Sequence, residues 1–204
     1  MLKLFRPPRW TDRLFRLYTW RFAVSDQTIF LTFDDGPHPD ITPFVLDQLE
    51  KFGMKATFFC VGENMLRHPE LVARIEKEGH RIGNHTMRHT KGTAVTDEAY
   101  FQSVDDFSRH YATPLFRPPY GRMRPSQQKA LQKRFHIIMW SWLSYDYDLN
   151  ISIQHILHKA RSIKSGDILV LHDNYKLAER QRELLPQLLQ YLKSEGYRSE
   201  VIPL

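Results

Sequence analysis

The stretch TIFLTFDDGP, Thr28 to Pro37, decides how the rest of the chain is read. Its first six residues are β-branched, aromatic or leucine, a run that lacks a polar face and is too short for a helix. Such a run reads as a strand buried on both faces, and Asp34-Asp35-Gly36-Pro37 stops it in a loop. Two carboxylates therefore stand at its C-terminal end. Outward from it, Ile41-Thr42-Pro43 opens a helical pattern of Phe44, Val45, Leu46, Leu49 and Phe52 that ends at Gly53, a C-cap glycine. A second strand spans Ala56 to Val61. Helical spacing returns at Leu71, Val72 and Ile75 and stops at Gly79, and Arg81-Ile82-Gly83 leads into a histidine cluster.

The unit then repeats. Thr96 to His110 reads as a helix with Thr96 as N-cap, Phe116 precedes a Pro-Pro loop, and Ser126 to Lys133 is a short helix. Phe135 to Trp140 is strand-like, Ile151 to Ile163 helical, Asp167 to Leu171 a strand, Glu179 to Glu195 a helix and Arg198 to Ile202 a last strand. Strand alternating with helix implies an α/β fold with a parallel sheet under helices, open or closed into a barrel. Chemistry is then expected in the loops at the C-terminal strand ends. No repeat, low-complexity tract or linker divides the chain, so 23–204 is expected to be one domain preceded by a separate segment, 1–22.

Of 204 residues, 42 % are hydrophobic and 13 % aromatic, enough for a sizeable core and against disorder. No window approaches the roughly 18 apolar residues of a membrane-spanning helix. The single cysteine, Cys60, excludes an internal disulfide and fits a reducing compartment. The net charge of +6 is unevenly placed. Residues 1–22 carry Lys3, Arg6, Arg9, Arg13, Arg16 and Arg21 against Asp12, a net +5; the remaining 23 basic and 22 acidic residues leave the body at +1. A nucleic-acid binder carries its basic stripe on the folded domain, and this body shows none.

The strand-end loops hold the unusual residues. Asp34-Asp35 alone fits a solvated turn equally well. His85-Thr86-Met87-Arg88-His89 is more specific, because histidines at i and i+4 on one helical turn face the same way and can share a metal ion. Two imidazoles and a carboxylate suit zinc, cobalt or nickel and leave positions open, as catalytic metal sites do. His155 and His158 have no loop carboxylate nearby and read as surface residues. Arg117-Pro118-Pro119-Tyr120-Gly121 puts a cation and a rigid turn in one loop, placed to pair with Asp34 and to aim a backbone N–H at a developing oxyanion, or simply a Pro-rich turn. Finally, the apolar strand Ile168 to Leu171 ends in His172, where a core or turn residue is expected.

In this order, TFDDGP (32–37), HTMRH (85–89), RPPYG (117–121), Asp146 and LHD (171–173) resemble the motif series of the polysaccharide deacetylases, the NodB-homology or carbohydrate esterase family 4 proteins. The resemblance covers nearly everything after the N-terminal segment. It implies a distorted (β/α) barrel and metal-dependent removal of N-acetyl groups from amino sugars of a polysaccharide or oligosaccharide, peptidoglycan or chitin-like, with release of acetate. Carried over, Asp35, His85 and His89 become metal ligands for one divalent ion, zinc or else cobalt or nickel. Asp34 becomes the general base and Arg117 its partner. The Tyr120 N–H becomes an oxyanion donor, and His172 the general acid paired with Asp146. A carboxylate beside His172 would favour imidazolium, so base and acid work would be divided between two groups in opposed environments. The fourth motif departs from the family's Asp-x-x-Asp-Trp: Leu143 replaces the first Asp and Tyr147 the Trp, while Val170 stands where Leu is common. Tyr147 and Val170 are thus the expected walls of an acetyl-sized pocket, and Asp148 is a second carboxylate near His172.

Two other readings compete: hydrolysis of another small amide or imide on the same scaffold, and a glycan-binding module that has lost activity. The second conflicts with the presence of every ligand, base and acid. In the N-terminal segment, Arg9, Arg13 and Arg16 fit one stripe of a helix and Trp10, Leu14 and Leu17 another, which would suit an anionic membrane surface. More often such an aromatic-rich segment packs across a barrel end with its arginines in water, and that packing is the expectation for residues 1–22. Arginines interrupt every apolar run here, so no 7–15-residue core of a cleaved secretory signal is seen, and a cytoplasmic or membrane-peripheral location is expected.

Overall fold

In the computed structural model, which describes residues 4–8, 10 and 15–203, the decisive stretch is strand β1 (Thr28–Asp34), buried along its whole length. The period-2 alternation of a strand divides it. Ile29, Leu31 and Phe33 join the main core beneath the helices, whereas Phe30 packs in a second cluster with Phe59, Leu115, Ile138, Ile168 and Ile202. Thr32 and Asp34 follow Phe30 along that inner face and supply its polar end.

Around β1 lie β2 (Ala56–Cys60), β3 (Arg81–Asn84), β4 (Leu115–Phe116), β5 (His136–Ile137), β6 (Trp142–Leu143), β7 (Ile168–His172) and β8 (Arg198–Ser199). Every pairing is parallel, in the order β5-β4-β3-β2-β1-β7-β6, with β8 added to β1. The sheet is curled into a partial barrel. Register carries the strand ends to one edge: Asp34 lies beside His172, Cys60 beside Asn84, and Asn84 beside Phe116.

The helices are α1 (Thr42–Phe52), α2 (Gly62–Arg67), α3 (Pro69–Lys77), α4 (Asp97–His110), α5 (Pro125–Leu131), α6 (Ile153–Ala160) and α7 (Ala178–Ser194). Gly53 closes α1 in the left-handed conformation at φ 66°, and Thr96 caps α4 by accepting the Ala99 N–H. The buried faces of α1 (Val45, Leu46, Leu49) and α7 (Leu184, Leu185, Leu188, Leu192) meet in the main core. Each such leucine contributes about 1.5–3 kcal/mol by leaving water. Two expectations need correction, and two elements were not foreseen. The strand expected over Phe135 to Trp140 is only two residues long before the chain bends, the last strand stops at Ser199, and α2 and β6 carry no periodicity visible in sequence.

The described part of the N-terminal segment lies along the gap between β5 and β7. Thr19 donates to the Ile137 carbonyl and accepts from the Met139 N–H, both at 2.8 Å, and the Phe22 N–H donates to Gly166 at 2.9 Å. Phe5 is buried against Trp142 and Tyr145, and Arg6 pairs with buried Asp167. Arg9, Arg13 and Leu14, which would complete the two helical stripes, lie outside the described residues. Trp10, Arg16 and Leu17 are exposed, and residues 15–17 form a turn. No helix among the described residues is long and apolar enough to cross a membrane.

His80, 8 % exposed at the foot of β3, accepts the Ala56 N–H on Nδ1 at 3.2 Å. Burial first, and the Lys55 charge second, lower its pKa from 6.5 to about 4. The unfolded chain binds a proton in that interval that the folded chain refuses. Stability is therefore full above pH 6.5 and falls as pH drops towards 4. In urea unfolding at pH 7.0 and 4.5, wild type is expected to lose about 2 kcal/mol more than His80→Gln, which keeps an acceptor without the titration. Equal losses would remove His80 from the acid sensitivity.

Candidate active site

Arg117 follows β4 and is fully buried, a costly position for a cation unless every donor is used. Its Nη1 donates to Asp34 Oδ1 at 2.6 Å and to Thr32 Oγ1 at 2.7 Å, its Nε to the Ile138 carbonyl and its Nη2 to the Met139 carbonyl. The guanidinium also lies 4.1 Å from the centroid of the Phe59 ring. Asp34 is thus fixed through one oxygen, and among the described residues its Oδ2 has no hydrogen-bond partner. The same arginine acts on the histidine loop: its carbonyl accepts from His85 Nδ1 at 2.7 Å.

That contact decides the tautomer. A carbonyl only accepts, so Nδ1 carries the hydrogen, and His85, its pKa lowered by burial to about 4, presents the bare lone pair of Nε2. Nε2 faces Asp35 Oδ1 at 3.7 Å, and His89 Nε2 stands 3.1 Å from the same oxygen. Ligand atoms of Asp35, His85 and His89 all lie within 4.8 Å of one another. A lone pair aimed at a carboxylate is repulsive without a positive charge between them. This donor set therefore fits a divalent cation, and the Arg117 carbonyl provides the outer hydrogen bond that metal-binding imidazoles use. Burial acts to raise the Asp35 pKa, but the hydrogen bond from His89 and the charge of His172 outweigh it and hold the carboxyl well below its usual range.

The two histidines do not share a helical turn, contrary to the reading of their spacing. They lie in a loop after β3, where Thr86 and His89 both adopt positive φ, 66° and 52°. Asn84 Oδ1 accepts the Thr86 N–H and Thr86 Oγ1 the Thr90 N–H, both at 2.8 Å, and this bending brings the two rings to 5.1 Å. Asp35 and Tyr120 also sit at positive φ, 82° and 61°. Of the five non-glycine residues in that region among those described, three belong to this cleft, and the packing around it offsets a strain of about 1–3 kcal/mol each.

Across the cleft, His172 ends β7. Its Nδ1 is 2.7 Å from Asp146 Oδ1, and Asp146 Oδ2 accepts both the His172 N–H at 2.8 Å and Gln181 Nε2 at 2.5 Å. Burial works to lower the His172 pKa, but the Asp146 charge and hydrogen bond, with the Asp35 and Asp34 charges, raise it to about 10. The neighbouring carboxylate that competed on sequence, Asp148, is turned to Asn150. The edge of the Tyr147 ring meets His172 at 5.2 Å and 88°.

These groups line a cleft of about 500 Å³ together with Leu143, Tyr147, Val170, Tyr120, Gly121, Trp140, Lys91 and Arg122. Every site residue singled out in the sequence lines it except Arg117 and Asp146, which act from behind. Sequence reasoning missed Asn64, whose Nδ2 donates to the Asp35 carbonyl, and Asn174, whose Nδ2 lies 3.4 Å from Asp35 Oδ2. It also missed Gln181, and Asp173, whose carboxyl accepts the Gly36 N–H at 3.0 Å and the Thr42 hydroxyl at 2.6 Å and so pins the loop after β1. Asp173 sat inside a quoted motif; the others carried no local signal.

A curled parallel sheet, a carboxylate held by a buried arginine, a histidine paired with a buried carboxylate on the adjacent strand, and an Asp-His-His trio that could hold a cation beside them are the groups a hydrolase needs. The family model described as polysaccharide deacetylase matches residues 23–135. The chain belongs to that family. It is 38 % identical over 188 residues to a peptidoglycan-N-acetylglucosamine deacetylase of Bacillus cereus, covering 88 % of each chain. Among solved structures, the Bc1960 peptidoglycan N-acetylglucosamine deacetylase in complex with 4-naphthalen-1-yl-N-oxidanyl-benzamide matches with a TM-score of 0.84 at 30 % identity, over 96 % of this chain and 94 % of that one. A family 4 carbohydrate esterase from Streptomyces lividans in complex with acetate matches with a TM-score of 0.76 at 25 % identity, over 87 % and 94 %.

Proposed function

We propose that this chain removes the acetyl group from N-acetylglucosamine units of a peptidoglycan-like glycan, releasing acetate, with one divalent cation held by Asp35, His85 and His89. The observation that carries the reading is the opposition of Asp34 and His172, in register on adjacent strands, with the cation-binding trio beside them. A cation in that trio supplies Lewis-acid activation of water and of the amide carbonyl; imidazole and carboxylate ligands suit zinc and accept cobalt or nickel.

The residues of the chain do the rest. Arg117 orients Asp34 so that its free oxygen can take a proton from the attacking water. Tyr120, in its left-handed turn, offers its backbone N–H to the carbonyl oxygen as negative charge develops there. His172, doubly protonated, donates a hydrogen bond from Nδ1–H to Asp146 and keeps the Nε2 proton for the nitrogen that leaves when the C–N bond breaks. Tyr147, Val170 and Leu143 form a small apolar wall suited to a methyl group. The family 4 carbohydrate esterase that matches this chain is in complex with acetate, the product expected here, which supports the reading of an acetyl-accepting site.

Incubation with N-acetylglucosamine tetramer and with peptidoglycan fragments is expected to yield acetate and free amine in equal amounts. Absence of both from every acetylated glycan at saturating metal would favour hydrolysis of another small amide instead.

A further inference from the structure

The basic residues around the cleft divide into two kinds. Arg117 is bound to Asp34, Arg88 to Glu63 at 2.8 Å and Arg124 to Asp97 at 3.1 Å. Lys91 and Arg122 differ: both are exposed, both line the cleft, and among the described residues neither has an acidic partner. They come from different loops, one just after the histidine loop and one just after Tyr120, yet both line the same cleft. The carboxylates that line the cleft, Asp34 and Asp35, are engaged by Arg117 and by the imidazoles, so nothing inside the cleft neutralises the two cations.

Their place relative to the chemistry is set by a row of rings. The Tyr120 ring, 61 % exposed, packs on His89 with centroids 4.7 Å apart, and Lys91 Nζ lies 5.8 Å from the Tyr120 centroid on the way out. An exposed ring beside the reacting end is a platform for a sugar face. Cations at the outer edge of that platform meet whatever the neighbouring sugar carries.

We infer that Lys91 and Arg122 are specificity residues that read a carboxylate on the sugar next to the one being deacetylated, so that an anionic glycan is preferred to a neutral N-acetylglucosamine chain. This deepens the deacetylase reading and rests on it for the orientation of the glycan. Pairing by solvent-exposed cations affects recognition more than the chemical step.

The test compares a peptidoglycan fragment bearing a lactyl carboxylate beside N-acetylglucosamine with the same fragment whose carboxyl has been reduced to the alcohol. Acetate release gives kcat/KM for each; if no acetate appears, calorimetry gives Kd for each, so the preference is read whether or not deacetylation is the reaction. Wild-type holoenzyme is expected to prefer the carboxylate by about three- to tenfold at low salt, with the preference shrinking as salt rises. In the Lys91→Gln/Arg122→Gln double variant, with an unchanged circular dichroism spectrum and Tm, the ratio is expected to fall to about one. Equal values for the two fragments in wild type, or a preference kept by the double variant, would overturn the inference. Failure of acetate release alone would count against the deacetylase reading and leave the binding ratio to decide this one.

Discussion

Asp34→Asn is expected to lower kcat/KM for acetate release by about a thousandfold, within the range for loss of a positioned general base. The substitution also leaves the fully buried Arg117 guanidinium without its counter-charge. Breaking a buried pair in this way costs up to about 3–5 kcal/mol, and here less, because Thr32 and the Ile138 and Met139 carbonyls still accept from it. A lowered Tm should therefore accompany the loss of activity, and the assay belongs at a temperature where the variant is folded. Metal content should stay at the wild-type level, since Asp34 is not among the three clustered ligands. Wild-type turnover in a folded, metal-loaded Asp34→Asn protein would contradict the role given to this carboxylate.

The second large effect concerns the other wall. In Asp146→Asn, the charge and hydrogen bond that hold His172 protonated are removed, and burial then dominates and pulls its pKa down. A cation in the trio opposes the Asp34 and Asp35 charges, so the Asp146 contribution is the one this variant isolates. The new amide also meets two donors, the His172 N–H and Gln181, where Asp146 Oδ2 accepts. Satisfying them turns the amide NH2 towards His172 Nδ1 and leaves a neutral imidazole, a far weaker acid. The sign follows: activity needs the proton, so it is lost as pH rises through the His172 pKa. The basic limb of kcat/KM should move down by about two units or more, with a loss of about a hundredfold at pH 8 and less at pH 6. An unchanged pH profile would remove His172 from acid catalysis.

Much of the fold was legible because β1 is short, apolar and abruptly stopped, and because helical spacing on both sides ends at glycines that the structure uses as caps. The site was legible where a chemically costly residue sits at a strand end: Asp34 and His172 interrupt apolar strands, and Arg117 stands in a loop from which a guanidinium could pair with Asp34. His85 and His89 were found for an incomplete reason. Their spacing suggested a helix, but the side chains of Asn84 and Thr86 capture backbone N–H groups and bend the chain into a loop. Short strands at the margin of the sheet, such as β5 and β6, had too few residues to show a period. Asn64, Asn174, Gln181, Trp140, Lys91 and Arg122 stayed hidden because each reaches the site from an element or loop whose own sequence has no reason to mark it. Only the curl of the sheet brings them together.

Stepwise addition of zinc, cobalt or nickel to metal-stripped protein, with acetate release from N-acetylglucosamine tetramer followed at each step, bears most directly on a cation held by Asp35, His85 and His89. Activity should rise linearly and level off at one equivalent, and His85→Ala should neither retain that equivalent nor release acetate. Full-rate acetate release from protein shown by elemental analysis to hold no metal would contradict the assignment of the trio.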